Sequence, residues 1–354
     1  MGIITNKDKA TMGAALVACL GAGLAHGRLG DVPAFIIAAA ALSLLAIVVG
    51  HATDHLGNRM SPGATGVLQS SMGNLPELMV CIFSLRAGLI DVVKGALVGA
   101  ILANSLLVLG LAILLGGLKN GVLTFRSDPP RMIVILMMLA CTALALPTLA
   151  SLLHTPAGDH EPSLALVCSV VLIFVFGCSL TFILKGDKSV VPAEASENSH
   201  ASWPVPLALG VLAAAGVGAA FVSEWFVSAL EPATKAMGLS QAFTGLVVVA
   251  IAGNAIENLV GIQLAVKNKP DYAMSVVLNS CLQIALLLVP LLVFISFFVG
   301  PAPMTLVLQP MMLVALILSA LIPAFVIFDG EAIWLEGVAL IGLYVLIAAA
   351  FWWG

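Results

Sequence analysis

GNLPELM at residues 73–79 and GNAIENL at residues 253–259 are two copies of one short pattern, 180 positions apart. In each copy an asparagine follows a glycine, and a glutamate stands three residues later within an otherwise apolar stretch. A carboxylate at the centre of a membrane-spanning helix costs about 2.5–3.5 kcal/mol even on insertion scales, so such residues normally serve a function. Two carboxylates in one pattern therefore indicate a site to which both copies contribute.

The composition is that of a membrane protein. Of 354 residues, 61% are hydrophobic and 9% are charged, whereas soluble domains carry about 25% charged residues. Apolar runs of about 20 residues, each long enough to cross a bilayer, recur along nearly the whole chain. The sequence predicts an all-α polytopic membrane protein with eleven transmembrane helices. The predicted spans are 11–27, 33–52, 62–87, 91–118, 130–153, 162–184, 204–231, 239–266, 271–299, 303–328 and 333–353.

The basic residues predict the orientation of the chain. Ten lysines and arginines fall at the amino terminus and in the loops after spans 2, 4, 6, 8 and 10, against four on the opposite side. The positive-inside rule then places the amino terminus in the cytoplasm and the carboxyl terminus outside. The short loops and the abundance of alanine and glycine favour a prokaryotic inner membrane.

The chain is predicted to consist of two inverted five-helix repeats behind one extra helix. Residues 73–110 and 253–290 align without gaps, and nine of these 38 positions are identical. An odd number of spans in each unit inverts the second unit relative to the first, an arrangement that recurs in transporters. The predicted parts are the cytoplasmic amino terminus with the first helix (1–30), the first repeat (31–184), a polar cytoplasmic linker (185–203) and the second repeat (204–354).

The spacing within each motif places its polar residues on one helix face. Asn74 and Glu77 are three residues apart, as are Asn254 and Glu257, so each pair shares a face. Pro76 removes a backbone donor beside the first carboxylate and should interrupt the helix there. Carbonyl groups freed at such an interruption are able to coordinate a cation.

The helix that follows each motif adds further polar groups at a similar depth. These are Asn104 in the first half, and Ser280 and Gln283 in the second. Oxygen atoms from carboxylates, amides and hydroxyls suit a hard cation such as Ca²⁺ better than a soft metal. The predicted cation- and proton-binding residues are Glu77, Glu257, Asn74, Asn254, Asn104, Ser280 and Gln283, with the two glutamates as the Ca²⁺ ligands.

The charge of two facing carboxylates suggests an exchange mechanism. One divalent cation or two protons would neutralise them, whereas the empty pair carries a charge of −2 that is costly to bury. Only the loaded forms should then rearrange readily, which favours exchange over leak. The same reasoning permits sodium, and the spacing alone does not choose between the ions.

At these residues the chain resembles the Ca²⁺/H⁺ exchangers (CAX) of the cation/calcium exchanger superfamily. The resemblance rests on the two Gly-Asn-x-x-Glu motifs, on HATDHLG at residues 51–57, and on the order and spacing of spans 2–11. It implies eleven helices arranged as one plus five plus five. It also implies export of cytosolic Ca²⁺ driven by inward proton flow, with Glu77 and Glu257 shared between Ca²⁺ and protons.

The chain departs from the pattern of this family around the expected site. Ala100 and Ala103 stand where the family commonly has hydroxyl residues, Asn279 replaces a glycine, and Asn258 replaces a histidine. A site tuned to sodium, or to another divalent cation, therefore remains an alternative to one tuned to Ca²⁺.

Two other classes of protein are alternatives to an antiporter. A cation channel is the rival from another class, and passive flux without a counter-ion would support it. An intramembrane enzyme is disfavoured because the spans contain no paired-Asp, Ser/His, Ser/Lys or HExxH motif. We expect no cofactor other than the transported ions, and the lipid bilayer but no nucleic acid as partner. The sequence leaves open whether the chain forms homo-oligomers.

Overall fold

The protein is helical throughout the part that its computed structural model describes, residues 5–57, 72–185, 203–253 and 255–352. Within these ranges eight helices are long and apolar enough to cross a membrane. The predicted class, a polytopic α-helical membrane protein, agrees with this architecture. The count of eleven helices and the inverted repeat stay predictions, since part of span 62–87 and most of the linker lie outside the described residues.

Twelve helices are formed by the described residues, six on each side of the linker. Those before it are α1 (Asn6–Ala25), α2 (Asp31–Gly57), α3 (Leu75–Arg86), α4 (Ile90–Asn120), α5 (Asp128–Leu152) and α6 (Glu161–Lys185). Those after it are α7 (Val205–Ala236), α8 (Gln241–Gly253), α9 (Ala255–Val266), α10 (Pro270–Ser296), α11 (Pro310–Ile327) and α12 (Trp334–Trp352). A two-stranded antiparallel sheet, β1 (Leu123–Thr124) with β2 (Glu331–Ala332), joins the α4–α5 and α11–α12 connections.

Local sequence signals explain where several helices begin. Thr5 caps α1 by accepting from the amide of Asp8, whose side chain accepts from the amide of Thr5 in return. Ser240 caps α8 through the amide of Phe243. Asp91 and Asp271 lie in the first turns of α4 and α10, where a negative charge interacts favourably with the helix dipole.

Helix α4 is a central element, and glycines allow its backbone to approach two other helices closely. A Cβ atom on Gly245 of α8 would lie 2.6 Å from the carbonyl oxygen of Val92, and one on Gly99 would overlap the backbone of Leu246. Further along α4, a Cβ atom on Gly110 would lie 2.8 Å from the carbonyl oxygen of Gly337 in α12. Glycine is therefore required at these crossings because any side chain would separate the helices.

Three helices contain a stretch of wider π-helical turns. These stretches are Ala103–Val108 in α4, Thr244–Val249 in α8 and Ile284–Leu288 in α10. Subtracting 180 positions from the stretch in α10 gives residues 104–108, which lie within the stretch in α4. The two stretches therefore occupy equivalent positions in the helices that follow the two motifs. Such turns are rare and are frequently found at functional sites.

The predicted span 303–328 is wrong at its start, because α11 begins only at Pro310. Side chains from other helices bind the backbone before it and hold it extended. Lys94 donates to the carbonyl oxygen of Val307 at 2.7 Å, and the amide of Leu308 donates to Thr148 at 2.9 Å. The segment thus satisfies backbone groups without forming a helix.

Trp203, the last residue of the predicted polar linker, is instead buried in the protein. Its side chain is 1% exposed and stacks on His55 with 4.4 Å between ring centroids. It packs with Ala52 and Leu56 of α2 and with Ala208 of α7. The packed structure of α7 therefore begins immediately after residue 202.

Candidate cation-binding site

The first motif lies at an interruption of the helix, as the sequence predicts. Asn74 has φ −80° and ψ 1°, and α3 starts at the next residue with Pro76 in its first turn. The backbone carbonyl oxygen of Asn74 accepts a hydrogen bond from the backbone amide of Leu78 at 2.9 Å. Glu77 is fully buried and Asn74 is 6% exposed. The buried side-chain oxygen of Asn74 accepts no hydrogen bond within the described part of the chain.

The two motifs meet through a glycine and a glutamate. A Cβ atom on Gly253, the first residue of the second motif, would lie 3.3 Å from Cβ and 3.6 Å from Cγ of Glu77. The side chain of Glu77 therefore lies against the end of α8. Asn254 and the side chain of Glu257 lie outside the described residues, so their place in the site remains a prediction.

A hydrogen bond joins the helices that follow the two motifs. The side-chain nitrogen Nδ2 of Asn104 in α4 donates to the hydroxyl of Ser280 in α10 at 3.1 Å, and both residues are fully buried. Gln283, 5% exposed, lies one turn after Ser280. The structure thus brings Asn104 and Ser280 together, as the prediction of one site requires.

The polar groups of α4 and α10 are not placed symmetrically. Subtracting 180 positions from Ser280 and Gln283 gives Ala100 and Ala103, both fully buried and without a side-chain oxygen. The second half therefore supplies the hydroxyl and amide that these alanines lack. This asymmetry is the observation that bears on the choice of ion.

Ser43, which no motif in the sequence singles out, contacts the residue that precedes the second motif. Ser43 of α2 donates to the carbonyl oxygen of Ala252 at 3.2 Å and to that of Ala39 at 3.0 Å. The only sequence signal for it is a lone hydroxyl in the middle of the apolar run AAAALSLLAIV, residues 38–48.

Other polar residues near the span ends have ordinary structural surroundings. Glu231 pairs with Lys235 one turn later at 2.7 Å, and Glu224 is exposed on α7. Asn279 donates to Ser275 on its own helix at 3.2 Å.

The chemistry of the buried set is that of a hard-cation site. Glu77, Asn74, Asn104, Ser280 and Gln283 offer carboxylate, amide and hydroxyl oxygens and no sulfur ligand. Oxygen ligands of these kinds suit Ca²⁺ and other hard cations. Among the side chains that the structure describes, no three histidines, cysteines or acids are placed so that they could hold a metal ion together.

Comparison with known proteins agrees with the fold and shows the family of the chain. The sequence profile of the sodium/calcium exchanger protein family matches residues 31–185 and 207–353. The chain therefore belongs to this family, and within it the predicted resemblance to the CAX exchangers is confirmed.

Two similar bacterial proteins and two solved structures support that assignment. The chain is 36% identical over 342 residues to the Ca²⁺/H⁺ antiporter of Synechocystis sp., covering 91% of both chains. It is 33% identical over 312 residues to the Ca²⁺/H⁺ antiporter ChaA of Bacillus subtilis, covering 87% of this chain and 88% of that one. The native YfkE structure superimposes with a TM-score of 0.82 at 30% identity, over 98% of this chain and 100% of that one. The H⁺/Ca²⁺ exchanger CAX structure, at 14% identity and a TM-score of 0.77 over 98% and 92% of the chains, shows the shared fold alone.

Proposed function

We propose that this protein is a secondary antiporter that exports cytosolic Ca²⁺ in exchange for H⁺. The observation that carries the proposal is the fully buried Glu77, which lies against Gly253 of the second motif. A carboxylate in this position needs a cation or a proton to neutralise it. Relatives named Ca²⁺/H⁺ antiporters, at up to 36% identity, support these two ions as substrates.

In this mechanism Glu77 and Glu257 form one shared binding site near the middle of the membrane. The site holds either one Ca²⁺ or two protons, so both loaded forms are electrically neutral at the pair. The empty pair of glutamates carries a charge of −2, which is costly to bury. The empty protein therefore does not convert between its inward-open and outward-open states. Alternating access of the two inverted repeats around the site then couples the ion flows.

The neighbouring residues complete the cation's oxygen ligands. Asn74 and Asn254 contribute from the two motifs. The buried oxygen of Asn74 accepts no hydrogen bond from the described residues and is available to a cation. Asn104, Ser280 and Gln283 add amide and hydroxyl groups from α4 and α10. A dehydrated hard cation takes about six to eight oxygen ligands, which these residues with backbone carbonyls and water would supply.

A sodium-coupled exchanger of the same fold is the second candidate. Buried Ala100 and Ala103 lack the two hydroxyl groups that the CAX family commonly has on this helix, which favours an ion with a smaller ligand requirement. The chain also shares its fold, at a TM-score of 0.56 and 19% identity, with the sodium–calcium exchanger NCX_Mj.

The experiment that tests the proposal is uptake of labelled Ca²⁺ into proteoliposomes under separately imposed pH and sodium gradients. One pH unit supplies about 1.4 kcal/mol per proton, which is enough to drive measurable accumulation. We expect uptake to follow the pH gradient and to collapse when a protonophore removes it. Uptake driven only by sodium would replace the first candidate with the second, and uptake without either gradient would indicate a channel.

A further inference from the structure

Helix α2 is hydrogen-bonded to the residue before the second motif by a side chain that is not one of the proposed cation ligands. Ser43 is the thirteenth of the 27 residues of α2, so it lies near the middle of that helix. Its hydroxyl is shared between the carbonyl oxygen of Ala39, one turn earlier, and that of Ala252 at the end of α8. These two residues are 209 positions apart in the chain.

The bond within α2 is ordinary, whereas the bond to α8 is not. Serine and threonine in membrane helices commonly donate to the carbonyl four residues earlier, as Ser169 does to Ala165 at 2.7 Å in α6. Such a bond leaves the neighbouring helices free. The second acceptor of Ser43 lies on another helix, so this hydroxyl fixes the position of one helix relative to the other.

The acceptor is adjacent to the residue that contacts Glu77. Ala252 precedes Gly253, and Gly253 lies against the side chain of Glu77. A continuous chain of contacts therefore runs from Ser43 on α2, through the backbone at the end of α8, to the carboxylate on α3.

We propose that Ser43 is a positioning residue for the cation site. Its hydroxyl holds the Ala252–Gly253 backbone against Glu77, and so sets the distance between the first motif's carboxylate and the second motif. This inference rests on the proposed function, because it assigns Ser43 to the cation site of the exchanger. It gives α2, which supplies none of the proposed ligands, a direct connection to cation affinity.

The test compares two substitutions of nearly equal shape. Ser43→Thr keeps the hydroxyl, whereas Ser43→Val has the same branched shape without it. We expect the KM for Ca²⁺ of Ser43→Val to rise roughly fivefold, the effect of losing one net hydrogen bond, while its maximal rate changes by less than about twofold. Ser43→Thr should keep the wild-type KM. Ser169→Ala, which removes a hydroxyl bonded within its own helix, should also keep it.

The outcome separates a positioning role from a structural one. Equal KM values for Ser43→Val and Ser43→Thr would overturn the proposal, as would a KM in Ser169→Ala that rises as much as in Ser43→Val. Calcium affinity is also measured without transport, from the rise in melting temperature of the detergent-solubilised protein as Ca²⁺ is added. If the wild type binds Ca²⁺ but does not exchange it for protons, the proposed function fails. In that case the Ca²⁺ affinities of Ser43→Val and Ser43→Thr, measured from the melting temperature, still decide whether Ser43 is a positioning residue.

Discussion

At the scale of single residues, the site depends on polar groups that cross between the two halves of the chain. Glu77 comes from the first motif and faces the glycine of the second, while Asn104 and Ser280 join the helices that follow. Each contact pairs a residue before the linker with one after it. A substitution in one half of the chain should therefore change the surroundings of its partner in the other half.

We predict that Ser280→Ala lowers both stability and affinity for the cation. The change removes the acceptor of the buried Asn104 amide, and the loss of such a partner costs about 1–3 kcal/mol. The melting temperature in detergent and the KM for Ca²⁺ measure the two effects. Ser319→Ala is the matched control, because Ser319 is equally buried but donates to Leu316 within its own helix. Equal effects of the two substitutions would argue against a special role for the Asn104–Ser280 bond.

At the scale of helices, close crossings fix the position of α4. The backbone of Gly99 lies so near that of Leu246 in α8 that a Cβ atom would overlap it. Both helices contain π-helical turns close to this crossing, at Ala103–Val108 and Thr244–Val249. The helix that supplies Asn104 to the site is therefore held by its neighbour over a short stretch of backbone.

Gly99→Ala should destabilise the protein, because the added methyl group must separate α4 from α8. Overpacking of this kind costs about 1–3 kcal/mol and at times more. Fluorescence-detected size exclusion after heating measures the loss of folded protein. Gly210→Ala on α7 is the control, because no atom lies within 4 Å of the added methyl group there. A melting temperature for Gly99→Ala equal to that of Gly210→Ala would contradict the close crossing.

The ends of α1, α2 and α7 form a cluster whose stability should depend on pH. Burial lowers the pKa of His55, although Asp8 raises it and His51 lowers it further. Burial alone would raise the pKa of Asp8, but hydrogen bonds from Thr5 and the nearby histidines lower it overall. His51 lies 3.6 Å from Asp8 and pairs with it when protonated.

The sign of the effect follows from the lowered pKa of His55. A histidine that is neutral when folded contributes its full stability above the unfolded pKa of about 6.5, and loses it as the pH falls below that value. The contribution of Asp8 is lost only at more acidic pH, below the ordinary aspartate pKa of 3.8. Acidification from pH 7.5 to 5.5 should therefore weaken the His55–Trp203 contact.

Hydrogen–deuterium exchange of peptides from the start of α7 measures this weakening. We expect faster exchange at pH 5.5 than at pH 7.5, after correction for the intrinsic rate. In His55→Phe, which keeps an aromatic ring against Trp203 but does not titrate, the difference should be smaller. Equal pH dependence in the wild type and His55→Phe would show that His51 or another group is responsible.

At the scale of the whole molecule, the sequence was sufficient for the fold class and for part of the site. The apolar spans predicted a polytopic helical protein, and Pro76 predicted the interruption that the structure has at Asn74. Burial of Glu77, Asn104, Ser280 and Gln283 agrees with their expected depth. These features follow from short-range patterns, which a single sequence displays directly.

Other features depend on contacts between distant segments and were not predictable from one sequence. The extended segment before Pro310 is stabilised by Lys94 and Thr148, which lie more than 150 positions earlier. Burial of Trp203 depends on α2, and the role of Ser43 depends on α8. The neighbouring sequence does not distinguish these residues, because the residues that they contact are distant in the chain.

The central claim is that Glu77 and Glu257 share one cation, and its most direct test is Ca²⁺ uptake driven by a pH gradient in four variants. These are Glu77→Gln, Glu257→Gln, the double substitution, and Glu231→Gln as a control, since Glu231 is paired with Lys235 at the surface. The account predicts that each single substitution abolishes exchange as fully as the double one, while Glu231→Gln transports normally. Normal transport by either Glu77→Gln or Glu257→Gln would contradict the shared site.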